Sequence, residues 1–202
     1  MRSVIFSLLA VVLLSSVVFA GPLATDSNAY NDGVNPQWHG STAFSNTESG
    51  LEGYVDWAVY APGEFSYSGY TPTAGEAVYA FQIFNTGTQH ISSFTLGLEN
   101  IADNAGSVSG LSGLTPASIY LDLTPGEGGV TWEFEGINPS ENSEGLAFCS
   151  ANTPMDFIGV TVNGGSVALV IPVPTPSSDA IPEPLTLGLL ATGGLALLRR
   201  RQ

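Results

Sequence analysis

Between residues 3 and 198 the chain contains no lysine and no arginine: its four basic residues are Arg2, Arg199, Arg200 and Arg201, while all 18 acidic residues fall between residues 26 and 183. A stretch carrying 18 negative and no fixed positive charges cannot displace counterions from phosphates, which excludes DNA and RNA as partners. It also offers no guanidinium or ammonium to clamp a nucleotide or sugar phosphate, so kinase, ATPase and most phosphoryl-transfer chemistry are excluded with them. The carboxylates have no Lys or Arg to pair with, and several are expected to protonate more readily than free ones. The chain is nonetheless built to fold, because 44% of its residues are apolar, among them ten Phe, seven Tyr and three Trp. Cys149 has no second cysteine for a disulfide, and with only His39 and His90 beside it no zinc cluster can be assembled.

Both ends read as processing signals. Arg2, an apolar stretch over 4–18 and Val18-Phe19-Ala20 precede Gly21-Pro22. The compact residues at 18 and 20 suit signal peptidase, so residues 1–20 are expected to be a signal peptide, cut between Ala20 and Gly21. An uncleaved N-terminal anchor is the alternative, and the run is short of the ~20 residues that spanning needs. At the other end, a Pro/Ser-rich linker over 172–180, with Pro172, Pro174 and Pro176, leads to Pro182-Glu183-Pro184, an apolar run over 185–198, then Arg199, Arg200 and Arg201. The run is expected to form a short transmembrane helix. Its 14 residues reach about 21 Å at 1.5 Å each, so bilayer thinning or snorkelling arginines must help. The arginines favour the cytoplasmic side.

Pro182-Glu183-Pro184, Thr186, the Leu-rich run with Gly188, Gly193 and Gly194, and the closing arginines resemble a PEP-CTERM sorting signal, a tail also labelled ice-binding protein C-terminal domain. The resemblance covers residues 181–202. It implies export, inner-membrane retention through the C-terminal helix, recognition by an exosortase, and release to the cell surface or an exopolysaccharide matrix. Residues 54–63 and 78–87 resemble the bodies of other PEP-CTERM proteins, which implies a recurrent exported sandwich and no particular activity.

Residues 21–171 read as one all-β domain. Val130, Trp132 and Phe134 alternate with Thr131, Glu133 and Glu135; Phe94, Leu96 and Leu98 with Thr95, Gly97 and Glu99; Ile119, Leu121 and Leu123 with Tyr120 and Asp122. Denser apolar runs over 53–60, 77–84, 146–149, 157–162 and 167–171 suit strands covered on both faces. Turn chemistry recurs at Asn31-Asp32-Gly33, Asn85-Thr86-Gly87, Pro125-Gly126 and Asn163-Gly164-Gly165. About eight strands at this spacing, with no long helical pattern between them, predict an antiparallel β-sandwich.

Within that body, Glu133 and Glu135 stand roughly 6.5–7 Å apart along one strand face, a separation open to glycoside hydrolysis, although a solvated strand face explains both more simply. No Gly-x-Ser-x-Gly lies between a strand and a helix, and no enzyme is expected. Calcium is the one cofactor with a motive, through the acidic loops 26–32, 99–103 (with Asn100 and Asn104) and 141–144 (with Asn142); plain acidity for solubility is the alternative. Tyr60, Phe65, Tyr67 and Tyr70 surround the Gly/Pro-rich loop 61–75, making Tyr60, Tyr67 and Tyr70 candidate glycan contacts against the alternative of ordinary packing. Ice binding would require a flat repeated threonine array, and Thr71 and Thr73 form a single pair. The expectation is an exported structural or adhesive protein of a cell surface or exopolysaccharide matrix, with a carbohydrate-binding module second and a glycan hydrolase third.

Overall fold

The computed structural model describes residues 21–33, 37–98, 102–124, 128–164 and 167–176. In chain order the strands are β1 (His39–Asn46), β2 (Leu51–Tyr60), β3 (Ala77–Asn85), β4 (Ile91–Gly97), β5 (Asp103–Val108), β6 (Ser118–Asp122), β7 (Gly129–Ile137), β8 (Gly145–Ser150), β9 (Pro154–Gly164) and β10 (Val167–Pro176). They form two five-stranded sheets, ordered β1-β2-β3-β8-β5 and β10-β9-β4-β7-β6, in which neighbouring strands pair antiparallel. At one side β1 lies against β10, and at the other β5 lies against β6.

Period-two alternation fills the space between the sheets. Val55, Trp57 and Val59 of β2, Tyr79, Phe81 and Ile83 of β3, and Leu146 and Phe148 of β8 face Phe94 and Leu96 of β4 and Val130, Trp132 and Phe134 of β7. The Phe81 and Phe94 rings meet across the gap at 5.6 Å, and Phe94 meets Trp132 at 5.9 Å. The Trp132 indole N–H, which burial would otherwise strand, donates to the Gly106 carbonyl at 3.0 Å. Burial of each such side chain contributes about 1.5–3 kcal/mol.

The dense runs of β2, β3 and β8 have a separate cause. Their alternate residues Ala58, Tyr60, Val78, Ala80, Ala147 and Cys149 point away from the first core, into a second apolar layer closed by Leu23, Ala29, Val108 and Leu111, with Phe65, Tyr67 and Tyr70 packed on it. The outer face of the first sheet is therefore covered by the chain's own N-terminal segment and loops. Expected turns form where the side chains supply them: Asn85 Oδ1 accepts from the Gly87 N–H at 3.0 Å, and its amide donates to the Gln89 and Ile137 carbonyls at 2.8 Å each. Gly50, at φ +73°, closes the β1–β2 hairpin where a Cβ would collide with the Thr88 side chain.

Three expectations need correction. The antiparallel two-sheet architecture is present, but with ten strands rather than about eight. The expected linker over 172–180 begins inside β10, which runs to Pro176, with Val173 and Thr175 fully buried. The short transmembrane helix, and with it the membrane partner and inner-membrane anchoring, is not sustained: among the described residues the sole helical element is the 3-10 turn Leu23–Thr25, and no helix is long and apolar enough to cross a membrane. The run 185–198, itself short and interrupted by three glycines, lies outside the described residues.

Candidate functional site

The aromatic loop is built inward. Tyr60 has no exposed surface, and its hydroxyl donates to Asp26 Oδ2 at 2.8 Å; the Tyr67 hydroxyl donates to the same oxygen at 2.9 Å. Phe65 packs edge-on against Tyr60 at 5.2 Å and against Tyr70 at 5.8 Å. Tyr70 bonds to the Asn104 carbonyl and approaches Cys149 Sγ at 3.2 Å. Burial, then the hydrogen bond to Asp26, pushes Tyr67 up to about 12, and burial raises Tyr60 and Tyr70 further. Burial works against the Asp26 carboxylate too, but the Asn28 N–H, both tyrosine hydroxyls and nearby His39 outweigh it and hold Asp26 below its ordinary value. The three tyrosines expected to stack on sugars are thus committed to an internal network, Tyr60 wholly so. What the loop leaves open is a cleft of about 430 Å³ lined by Pro62, Phe65, Pro72 and Thr73.

The acidic candidates are dispersed. Asp26 serves the tyrosines, Asp32 accepts from the Trp38 indole at 3.1 Å, and Glu141 accepts from the backbone and side-chain N–H groups of Asn138 at 3.0 Å each. Asp103 caps Asn104 and receives the Thr73 hydroxyl at 3.2 Å. Glu99 and Asn100 lie outside the described residues. Among those described, no three His, Cys, Asp or Glu side chains converge on a point that could hold a metal. Two carboxyls are shifted up, Asp56 by burial and Glu76 by burial and then Asp103, so repulsion between carboxylates contributes to the second and not to the first. Asp122 goes the other way, held down by Thr124.

Glu133 and Glu135 project to solvent from β7, and Glu133 accepts from the Ser118 hydroxyl at 2.9 Å. They belong to the outer face of the second sheet, where strand register sets polar residues in rows. One row runs Ser118, Glu133, Ser93, Asn163 and Ala168 across β6, β7, β4, β9 and β10. The next runs Tyr120, Thr131, Thr95, Thr161 and Val170. Thr131 donates to the Thr95 hydroxyl at 3.1 Å, and the Asn163 amide donates to Ser93 Oγ at 2.8 Å. Tyr120 at one end is 57% exposed and Val170 at the other 71%. Strands about 4.8 Å apart make this a broad polar face bounded by a tyrosine ring, with no cation on it. The sequence displayed the alternation on each strand but not the register that lines up residues from 93 to 170.

The sorting-signal residues Pro182, Glu183, Pro184, Arg199, Arg200 and Arg201, and Ala20 of the signal peptidase site, lie outside the described residues. Gly21 lies inside them, its backbone N–H donating to the Asp56 carboxylate. Comparison with family models, with curated proteins and with solved structures returned no match.

Proposed function

We propose that this chain is an exported structural or adhesive protein of a cell-surface or extracellular matrix, and that it adheres to neutral polysaccharide through the outer face of β10-β9-β4-β7-β6. The observation that carries this reading is an asymmetry. Among the described residues, the outer face of the first sheet is covered with an apolar layer, while that of the second is left open and furnished with hydroxyls, an amide, carboxylates and Tyr120. Those groups match sugar hydroxyls as donors and acceptors, and a half-exposed tyrosine ring can stack on a sugar face. The lack of any Lys or Arg there argues for a neutral rather than an anionic polymer. Further support for export comes from the likeness of residues 181–202 to a PEP-CTERM signal. A carbohydrate-binding module is the second reading, favoured by the single exposed ring of Tyr120. Co-sedimentation with purified exopolysaccharide tests both. Tyr120→Ala should cut retention about tenfold under the module reading and only severalfold when contact is spread across the face. Release of reducing sugar would instead point to a hydrolase, and no retention at all would refute adhesion.

A further inference from the structure

Asp56 is an anomaly in the outer layer of the first sheet. It sits at the middle of β2 with no exposed surface, and Oδ1 accepts no hydrogen bond among the described residues. Gln82, opposite it on β3, is in the same position: its amide donates to the Ser112 and Ser143 carbonyls, while Oε1 accepts nothing. Two buried acceptors side by side lack donors, and one belongs to a carboxyl group, which is costly to ionise there without a counterion. Neither Lys nor Arg is available between residues 3 and 198, and His39 is engaged by the Ala24 carbonyl and Gln37.

Two groups do reach the Asp56 carboxylate: the Ser41 hydroxyl of β1, and Gly21 N, which donates to Oδ2. A Cβ on Gly21 would lie 2.7 Å from Oδ2 and 2.8 Å from Phe84 Cζ, so a glycine is what lets the nitrogen approach. Gly21 is also the residue that follows the expected cleavage point. As an amide its nitrogen carries one hydrogen and no charge; as a chain terminus it carries three hydrogens and, below its ordinary pKa of about 8, a positive charge.

We infer that hydrolysis of the Ala20–Gly21 bond creates the counterion of Asp56, so that the mature N-terminus is a half-buried ammonium locking the outer layer of the first sheet. In that step water adds across the C–N bond. Its hydroxyl goes to the Ala20 carbonyl carbon and leaves with the leader as a carboxylate, one proton goes to the Gly21 nitrogen, and the amine takes up the proton released by that carboxyl group. The two N–H groups gained are further donors for the Asp56 carboxylate, whose Oδ1 accepts no hydrogen bond among the described residues. Removal of the leader thereby tightens the sandwich. The inference rests on the export reading, in that it takes Gly21 as the mature terminus.

The test compares three forms of the processed chain, residues 21–202: a free Gly21 amine, an acetylated Gly21, and a form extended by Ala20. The free form should melt roughly 6–15 °C above the other two at pH 7. In Asp56→Asn, acetylation should change the melting temperature by no more than about 2 °C. Acidification gives a second signature. Around the carboxyl are Tyr54 on its own strand, Ser41 on β1 and Gln82 and Phe84 on β3, and no cation but the terminus. Burial raises Asp56 above its ordinary value. Without the ammonium, its stabilising contribution is present below about pH 4 and lost as pH rises through the raised value. The acetylated form should therefore regain stability between pH 7 and 4, and the free form should not. Should Asp56→Asn fail to fold, 15N-edited titration of the Gly21 amine in the wild type decides: a value clearly above 8 supports the pair and an ordinary one overturns it. Equal melting of all three forms overturns the ion pair alone. N-terminal sequencing of exported protein separates the export reading, since a start other than Gly21 overturns both.

Discussion

Asp26 shows how one side chain converts an apparent binding loop into structure. Tyr60 and Tyr67 are 34 and 41 residues away along the chain, yet both hydroxyls end on the same carboxylate oxygen. Nothing in the local sequence of loop 61–75 announces that partner, so the tyrosines were legible as a cluster but not as a filled one. Because the carboxylate is only partly buried, solvent moderates its worth. Asp26→Asn should destabilise the protein by about 1 kcal/mol at pH 7, read as a melting-temperature loss of about 2–4 °C. Its folded value is depressed, so the charged form stabilises above the unfolded pKa of about 3.9, and that stabilisation is lost as pH falls through the folded value. Wild type and variant should converge as pH falls through that depressed folded value. In alkali, ultraviolet titration should find Tyr67 ionising near 12 in the wild type, and earlier in Asp26→Asn.

Among the elements, β10 departs most from its sequence reading. Three prolines in five residues read as a linker, because proline cannot donate to a ladder. They occupy alternate positions, however, and all remove N–H groups from one side of the strand. The Pro172 carbonyl, which points the same way, accepts the Thr42 hydroxyl of β1 at 3.0 Å rather than pairing with β9. The missing N–H groups thus fall on the side of β10 that β1 lies against, where no ladder partner is needed; Pro174 and Pro176 are buried there and Pro172 is exposed, where it guards against pairing with another chain. Between them Val173 is fully buried. Val173→Ala should cost about 2 kcal/mol by denaturant melts, as much as an ordinary core position. Pro172→Ala should leave stability within about 0.5 kcal/mol while raising aggregation measured by light scattering. By contrast β4 and β7 were legible, since strict alternation with Phe94, Leu96, Val130 and Trp132 admits one placement. The doubly covered β2, β3 and β8 were legible as dense runs, but their second cover comes from residues 23–29 and 65–70, which carry no periodic signal.

At the scale of the whole molecule, the missing basic residues set the response to solution conditions. With the Gly21 nitrogen blocked, Asp56 and Glu76 favour the folded state at low pH, and Asp26 and Asp122 disfavour it there, so the pH–stability profile of the blocked chain should pass through a maximum on the acid side of neutrality. Sodium chloride should raise the melting temperature by screening repulsion, and calcium and magnesium should act alike at equal ionic strength. A calcium effect that saturates and exceeds magnesium would contradict the dispersed carboxylates. The same charge distribution leaves the open face of the second sheet able to meet uncharged sugars and unable to hold anionic ones. The most direct measurement of the account is hydrogen-exchange footprinting of the processed chain on purified neutral exopolysaccharide. Adhesion through the open sheet predicts slowed exchange in β4, β6 and β7, with loop 61–75 unchanged. Slowed exchange confined to loop 61–75, or none anywhere, would contradict it.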